Sequence, residues 1–344
     1  MTRPRILICL HDFHRGGTER VALMLAAQWR TLGADVTILC GDQGGGLRDE
    51  VAPGIKVMAL NPPVPRGPMS RVTMGQAVSS LRLDPDVIFL PGNFHFFLAP
   101  YLRKAMPRAK IALKISNPPV PAGFMGKLAS PFFRRATRTV DGFAAMNAGL
   151  ARQMRSIVLP GRVVGTLYDP VRMGNAPRAA QGDGPHILWI GRLEPQKDLS
   201  LALAVMRQMP GARLTVIGDG ADRGLLAGVD VRHIPQVSDV GPCLAEADAL
   251  LITSRYEGGP AVAVEALAQG VPVVSTDCSY LLHELLTIPE AGRIVPSRDP
   301  AMLAEALIAL TGAARPPFGL LRGLTDRFEA SVCARAYLDW FATL

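Results

Sequence analysis

The sequence predicts an α/β protein with two doubly wound parallel sheets, and three observations support this fold class. A chain of 344 residues is long for one ordinary domain and sufficient for two of about 150 to 180 residues. Short apolar runs alternate with segments of helical periodicity, which is typical of parallel sheets. Both halves of the chain show this alternation. We therefore expect two sheets side by side, with a ligand cleft between the carboxyl ends of their strands.

The first half, residues 1–168, is predicted to form one Rossmann-like domain. Its first helical segment, ERVALMLAAQWRTLG, carries apolar residues at helical spacing and ends in a glycine, as helices often do. Strands are expected near residues 5–10, 35–40, 56–60, 86–90, 110–115 and 142–146.

The second half repeats the pattern after a segment without periodicity. Residues 169–185 are rich in Pro, Gly and Ala, so we interpret them as a linker. Residues 186–325 are expected to form the second Rossmann-like domain, and 326–344 an amphipathic helix that packs back toward the first. The predicted strands of this half lie at 186–191, 212–218, 229–234, 248–254, 271–276 and 292–296.

Composition excludes several classes of protein. No uncharged apolar run reaches the roughly 18 residues of a spanning helix, and ILICL near the amino terminus is too short for a signal-peptide core. The five cysteines are scattered and lack CxxC spacing, so a disulfide framework or zinc site is not expected. We expect free thiols and a cytoplasmic chain.

Charge is distributed unevenly along the chain. Residues 1–168 contain 22 Lys and Arg against 9 Asp and Glu, a net charge of +13, whereas the remainder carries −5. A basic half indicates an anionic partner, which could be a phosphate group, a nucleic acid or an acidic membrane surface.

The stretch from Ala249 to Asp277 predicts a strand-helix-strand unit with an unusual carboxylate. Pro260 suits the start of its helix, and Gly270 suits the end. Glu265 is the only charged residue in this apolar helix, so it needs a hydrogen-bonding partner, from the protein or from a ligand. Glu257 precedes the helix, where free N–H groups favour polar oxygens. Two carboxylates at one helix start suggest a polyhydroxyl ligand.

Four further loops follow predicted strands. Gly16 and Gly17 precede a helix start capped by Thr18, and they either let a ligand approach the backbone or form only a tight turn. Arg192 and Lys197 share one loop and suit a diphosphate, although exposed cations are also common. Asp198 is the expected cap of the next helix. Backbone contacts to a nucleobase, or simple chain turns, are predicted at Gly218, Gly220, Pro235, Gln236 and Val237.

Together these residues resemble the retaining glycosyltransferases of family 4, which have two facing Rossmann-like domains in the GT-B arrangement. The matching motifs of the second half lie in family order over residues 187–310: GRLEPQK, VIGDG, EGGPAVAVE, EALAQGVPVVSTDC, HELL and GRIVPSRD. The first half matches more thinly, through RGGTER, DPDVIFL, VDGFAAMNAGLARQM and YDPV.

The resemblance implies a role for each matching residue. Arg192 and Lys197 would hold the donor diphosphate, Glu265 the ribose, and Glu257 the transferred sugar. Gly16 and Gly17 would close over the phosphates. The backbone of Gly258, Gly259, Pro260 and Ala261 would also contact the donor sugar.

Some positions depart from the family pattern. Relatives use a first-domain histidine near the donor sugar, often as His-x-His, and PGNFHFFL offers His95 without the second histidine. A histidine among Phe94, Phe96 and Phe97 could equally be packed in the core. Gly259 and Ala261 replace the usual Phe and Asn, which leaves the donor sugar open.

The resemblance also implies transfer with retention at the anomeric carbon and no metal or other cofactor. A donor phosphate oxygen would take the acceptor proton while Arg192 and Lys197 stabilise the departing charge. Asp84 and Asp86 spell DxD, a manganese motif in another class, but Pro85 and the following strand favour a turn.

The acceptor is predicted from a basic segment between residues 124 and 140. It fits a helix on an anionic membrane, which would favour a lipid or lipid-linked saccharide acceptor, or a solvated helix with a buried aromatic face. Its candidate residues are Lys127, Phe132, Phe133, Arg134, Arg135 and Arg138.

Other classes of function compete with sugar transfer. No recognised nucleic-acid module or aromatic-interleaved basic motif occurs, so no nucleic-acid partner is expected. A sugar-nucleotide epimerase, a phosphorylase or an inactive sugar-nucleotide-binding relative could use the same scaffold.

Overall fold

The computed structural model describes residues 3–118, 131, 133–174, 184–235, 237, 239–314 and 316–344. The chain divides into two compact units. The first unit comprises Met1–Pro170 with Ala330–Leu344, and the second comprises Val171–Glu329. Each unit is built on one parallel sheet with flanking helices, which confirms the predicted fold class.

The first unit contains seven parallel strands among its described residues, in the order β3-β2-β1-β4-β5-β6-β7. Strand order reverses between β1 and β4, and doubly wound sheets bind ligands beside the carboxyl ends of such a strand pair. The strands are β1 Arg5–Leu10, β2 Asp35–Cys40, β3 Lys56–Ala59, β4 Val87–Leu90, β5 Lys110–Ile115, β6 Gly142–Ala145 and β7 Val163–Thr166. The helices are Gly17–Thr31, Ser70–Ser79, Ala99–Ala105, Ala148–Ile157 and Ala330–Phe341.

The second unit contains six parallel strands in its described part, in the order β10-β9-β8-β11-β12-β13. Here the order reverses between β8 and β11. The strands are β8 His186–Ile190, β9 Arg213–Ile217, β10 Arg232–Ile234, β11 Ala249–Ile252, β12 Val273–Thr276 and β13 Gly292–Val295. The helices are Leu199–Met206, Gly241–Glu246, Ala261–Ala268, Tyr280–Leu285, Pro300–Gly312 and Phe318–Gly323.

Alternation along each strand supplies both faces of a sheet with core residues. In β1, Leu7 and Cys9 join the core on one face, while Ile6, Ile8 and Leu10 join the core on the other. Because both faces are covered, the strands are apolar almost throughout, as parallel strands usually are. The carboxyl ends are the places where the sequence turns polar.

The terminal helix Ala330–Phe341 belongs to the first unit. Its aromatic side chains join Trp29 and Phe89, with ring centroids 5.9 Å from Trp29 to Tyr337 and 5.5 Å from Phe89 to Tyr337. The Trp29 indole N–H donates to the Ala334 carbonyl at 3.0 Å. The last part of the chain therefore completes the core that the first strands begin.

The sequence analysis missed one strand, and its prediction of free cysteines is confirmed. β7 was not predicted, because VVGT is short and half-buried at the sheet edge. All five cysteines lie within the described residues and are free, as predicted. Burial raises the pKa of the Cys9 thiol to about 12. Within the described ranges, no helix is both long and apolar enough to cross a membrane.

Candidate functional site

The central feature of the second unit is a lysine–carboxylate pair beside the carboxyl ends of β8 and β11. Lys197 follows β8 and Glu257 follows β11, so the adjacency of these strands brings together side chains 60 residues apart. Lys197 Nζ lies 2.5 Å from Glu257 Oε1. The Ser254 hydroxyl donates to the same carboxylate oxygen at 2.7 Å. This arrangement leaves Lys197 further N–H donors for an anion.

Arg192 lies in the same loop as Lys197, but its side chain is exposed. Its guanidinium pairs with Glu194 at 2.7 Å, and two-thirds of the side chain remains accessible. The glycine at position 191 leaves room for the lysine, because a Cβ there would lie only 3.2 Å from the Lys197 side chain. The loop therefore presents one enclosed cation and one exposed cation.

The glycine turn after β9 packs directly against this loop. Gly218 has φ +140° and Gly220 has φ +154°, conformations that disfavour other residues. A Cβ on Gly218 would lie 1.8 Å from the Gly191 carbonyl oxygen, and one on Gly220 would lie 2.5 Å from that of Leu193. Both glycines are thus required for two strand-end loops to touch.

The loop after β10 lies next to the same turn. His233 Nε2 is 2.8 Å from the Gly218 carbonyl oxygen. Pro235 is exposed and Val237 is half-buried, while Gln236 lies outside the described residues. Their predicted contacts with a nucleobase remain a prediction.

The segment after Glu257 leads into the helix Ala261–Ala268. The Glu257 N–H donates to the Cys278 carbonyl at 2.7 Å, and the Ser279 hydroxyl donates to the Gly258 carbonyl at 3.2 Å. Pro260 is the residue just before the helix rather than its first residue. Gly259 is half-buried and Ala261 exposed. Glu265 is half-buried in the second helical turn.

The helix after the loop of Gly16 and Gly17 starts earlier than predicted. It begins at Gly17, and Gly16 is the capping residue, so the prediction that Thr18 caps it was wrong. Thr18 lies inside the first turn, and its methyl group faces Gly92, where a Cβ would lie 3.1 Å away. Because Gly16 has no side chain, no side-chain hydrogen bond caps this helix.

An ion-pair network lies beside this loop, and sequence reasoning missed it. Arg66, from the loop after β3, donates to Asp12 after β1 and to Glu19, the latter at 2.9 Å. Burial pushes the pKa of Asp12 upward, but Arg66 and the His14 backbone N–H outweigh it and lower the pKa to about 2. Asp12 could have been noticed as a polar residue at a strand end. Its arginine partner, 54 residues away, has no such signal.

His95 lies in a short 3-10 helix after β4 and is 2% exposed. Burial, together with nearby His11 and Arg66, lowers its pKa to about 3, so the ring is neutral at pH 7. Phe94 contacts both imidazoles edge-on, with centroids 5.5 Å from His95 and 5.7 Å from His11. Neither imidazole has a hydrogen-bond partner among the described residues. His11 was not predicted, and the catalytic role of His95 remains a prediction.

The described part of the basic segment combines a packed aromatic residue with exposed arginines. The ring of Phe133 lies 5.4 Å from that of Phe96 and packs against the core of the first unit. Arg134, Arg135 and Arg138 are exposed. Lys127 and Phe132 lie outside the described residues.

Both carboxylates of the DxD motif form ion pairs with one arginine. Arg5 pairs with Asp84 at 3.0 Å and with Asp86 at 2.9 Å, at the start of β1 and β4. These ion pairs tie the start of β1 to the start of β4. Across the residues that the structure describes, no group of three His, Cys, Asp or Glu side chains is placed to hold a metal ion.

Two family comparisons match the two halves of the chain. Residues 16–166 match the family described as glycosyl transferase 4-like domain. Residues 184–312 match glycosyl transferases group 1. The second range contains Arg192, Lys197, Glu257 and Glu265.

Individual relatives include enzymes of lipid and envelope glycosylation. The chain is 29% identical over 342 residues to the phosphatidyl-myo-inositol mannosyltransferase of Mycobacterium leprae, covering 88% of this chain and 86% of that one. It is 26% identical to the lipopolysaccharide core biosynthesis glycosyltransferase LpsE of Rhizobium meliloti, covering 76% of each.

Solved structures share the fold at low sequence identity. A sucrose-phosphate synthase from Thermosynechococcus elongatus has a TM-score of 0.82 at 18% identity, covering 99% of this chain and all of that one. Anabaena HepE in complex with UDP and glucose has a TM-score of 0.79 at 15% identity, with the same coverage. These likenesses concern the fold alone.

Proposed function

The chain belongs to the group 1 glycosyl transferases and has the GT-B fold, and from this premise we propose its donor, acceptor and mechanism. The donor is a nucleoside-diphosphate sugar, with UDP-sugars favoured over GDP-sugars. The acceptor is a lipid or a lipid-linked saccharide of the cell envelope. Two relatives, the phosphatidyl-myo-inositol mannosyltransferase and the lipopolysaccharide core biosynthesis glycosyltransferase LpsE, support this acceptor class.

The observation that carries the donor proposal is the contact between Lys197 and Glu257. An enclosed ammonium stabilises the charge that develops on a departing diphosphate. The neighbouring carboxylate accepts hydrogen bonds from the hydroxyls of a sugar. Two such groups 2.5 Å apart suit a ligand in which a phosphate adjoins a sugar. The UDP and glucose in the HepE complex support a uridine donor.

We propose that transfer retains the anomeric configuration and requires no metal. The acceptor oxygen bonds to the anomeric carbon on the face from which the nucleotide leaves, and the bond between that carbon and the phosphate oxygen breaks. The acceptor proton passes to a phosphate oxygen of the departing nucleotide. Arg192 and Lys197 supply the positive charge that a metal would otherwise provide.

A donor screen tests this proposal. Thermal shift and donor hydrolysis would be measured with UDP-, GDP- and ADP-sugars, on wild type, Glu265→Ala and Glu305→Ala. Glu305 is an exposed glutamate on the helix Pro300–Gly312, so its variant is the matched control. We expect one donor class to stabilise wild type and Glu305→Ala but not Glu265→Ala.

Several outcomes would contradict the proposal. If no nucleotide sugar stabilises the wild type, the donor assignment fails. If Glu265→Ala responds like the control, the placement of the ribose fails. Turnover lost in EDTA and restored by Mn²⁺ would overturn the metal-independent mechanism, and an inverted anomeric configuration in the product NMR spectrum would overturn retention. Donor binding without any hydrolysis or transfer would favour the inactive relative.

A further inference from the structure

Asp198, next to Lys197, has the one positive φ among the described residues other than glycine. Its φ of 54° and ψ of 61° are left-handed, a conformation that is uncommon for aspartate. The side chain caps the helix Leu199–Met206 by accepting from the Leu201 N–H at 3.3 Å. It also accepts from the Ser200 hydroxyl at 2.5 Å. A backbone strained in this way persists only where its surroundings determine it.

Arg298, from the loop after β13, makes one of the contacts that hold Asp198 in this conformation. Its guanidinium donates to the Asp198 carboxylate at 2.6 Å. The same side chain donates to the carbonyl of Thr253 at 2.9 Å and to that of Ser254 at 3.0 Å. One planar fork therefore joins the residue after Lys197 to the end of β11. Arg255 adds a second ion pair to Asp198 at 2.9 Å, from a more exposed position.

The groups that Arg298 holds are the supports of the lysine–carboxylate pair. The Thr253 hydroxyl donates to the Lys197 and Asp198 carbonyls, at 2.9 Å each, and accepts from the Trp189 indole. The Ser254 hydroxyl donates to Glu257 at 2.7 Å. Arg298 thus connects the loop after β8 to the loop after β11, and within the described residues its own hydrogen bonds go to neither Lys197 Nζ nor the Glu257 carboxylate.

We infer that Arg298 is a positioning residue, which through Asp198, Thr253 and Ser254 holds Lys197 at the place where the donor diphosphate binds. This inference rests on the proposed function. Without the fork, Asp198 loses an ion pair that supports its left-handed backbone, and the Lys197 loop gains alternative conformations. Small displacements of a positioned group can cost large factors in binding and rate. Arg298 therefore acts on nucleotide affinity without contacting the nucleotide.

A double-mutant cycle on nucleotide binding tests the inference. Affinity for UDP, and for GDP if UDP does not bind, would be measured by calorimetry for wild type, Arg298→Ala, Lys197→Ala and the double variant. We expect Arg298→Ala to weaken binding about 5- to 20-fold in the wild type, and less than about 2-fold when Lys197 is already absent. Arg298→Lys keeps the charge but not the planar fork that reaches Asp198, Thr253 and Ser254 together, so it should recover only part of the affinity lost in Arg298→Ala.

Arg232→Ala is the matched control. Arg232 pairs with Glu246 at 2.9 Å and is the first residue of β10. It therefore lies at the amino ends of the strands, whereas the lysine–carboxylate pair lies at their carboxyl ends. We expect its removal to leave affinity unchanged. Equal losses from Arg298→Ala with and without Lys197, or no loss at all, would overturn the inference while nucleotide binding by the wild type stands. Failure of the wild type to bind any nucleoside diphosphate would instead overturn the proposed function, and the inference with it.

Discussion

Lys197 is the only lysine in residues 128–344, although that part of the chain contains many arginines. An ammonium is a compact charge with three rotatable donors, whereas a guanidinium is a planar fork. Only the former can point between Gly191 and Glu257 and still turn donors toward a phosphate. This difference in shape explains why position 197 has a lysine in a part of the chain where arginine is the usual cation.

Two replacements of Lys197 should distinguish the contribution of its charge to catalysis from that of its shape. We expect Lys197→Ala to lower kcat for sugar transfer by about 10²- to 10³-fold, because one preorganised donor to the leaving group is lost. The kcat of Lys197→Arg should lie between those of wild type and Lys197→Ala, because the positive charge remains but the guanidinium does not fit beside Gly191. Lys110→Ala, an exposed lysine at the start of β5, is the control. Steady-state kinetics check this, and a kcat for Lys197→Ala within 3-fold of wild type would contradict it.

His95 should make the stability of the protein depend on pH. Its pKa is about 3 in the fold and about 6.5 in an unfolded chain. Between these values the unfolded state binds more protons, so stability falls as pH drops below about 6.5. From pH 7 to pH 5 this histidine alone should cost about 2 kcal/mol.

Urea unfolding at pH 7 and pH 5 measures this effect. His95→Gln should lose the His95 share of the decrease, whereas His283→Gln, which removes a half-exposed histidine, should keep it. Identical pH dependence in wild type and His95→Gln would show that His95 titrates normally in the folded protein.

At the scale of secondary structure, the terminal helix Ala330–Phe341 is the clearest case of a sequence segment that acts far from its place in the chain. Amphipathic spacing predicts such a helix, but the spacing does not name its partners. The structure packs Tyr337 between Phe89 and Trp29, with its hydroxyl buried and without a hydrogen-bond partner in the described residues. An unsatisfied buried hydroxyl costs free energy that a phenylalanine avoids.

Substitutions of Tyr337 should therefore differ in sign. Tyr337→Phe should leave the free energy of unfolding unchanged or raise it, while Tyr337→Ala should lower it by about 3–5 kcal/mol by opening a cavity. Val332→Ala, at an exposed position of the same helix, should change it by less than about 0.5 kcal/mol. Chemical denaturation measures all three. A loss above 1 kcal/mol for Tyr337→Phe would mean that the hydroxyl has a partner.

Elements with strong periodicity were predictable, and those determined by neighbours were not. The twelve predicted strands correspond to β1–β6 and β8–β13. β7 was not predicted because an edge strand needs little apolar sequence when a neighbouring strand, here β6, offers it hydrogen-bonding groups. The cap of the helix Leu199–Met206 was predicted at Asp198 and confirmed. The cap at Thr18 was wrong, since Gly16 already supplies the extended backbone that a helix start requires.

For the whole molecule, the charge difference between the two halves favours attraction of the first half to anionic surfaces. Electrostatic attraction to an acidic bilayer contributes about 1 kcal/mol for each Lys or Arg near the surface. Arg134, Arg135 and Arg138 are exposed, while Phe133 packs inward. We propose that these arginines help the protein bind as a peripheral protein to the inner face of the cytoplasmic membrane.

Co-sedimentation with vesicles tests this proposal. We expect binding to phosphatidylglycerol vesicles but not to phosphatidylcholine vesicles, and at least a 10-fold loss of affinity when the three arginines are replaced by alanine. Equal recovery on both vesicle types would contradict membrane binding through charge. A control with the same change in charge replaces three exposed arginines of the second unit by alanine: Arg207, Arg232 and Arg293.

The amino-acid sequence was enough to predict the fold class, nearly all strands and the candidate donor residues Arg192, Lys197, Glu257 and Glu265. It could do so because apolar periodicity and strand-end motifs are local properties of a chain. The contacts between distant side chains became visible only in the folded chain: Arg66 with Asp12, Phe94 with two imidazoles, and Arg298 with Asp198. Those contacts join loops tens of residues apart, because a parallel sheet collects the carboxyl ends of distant strands at one edge.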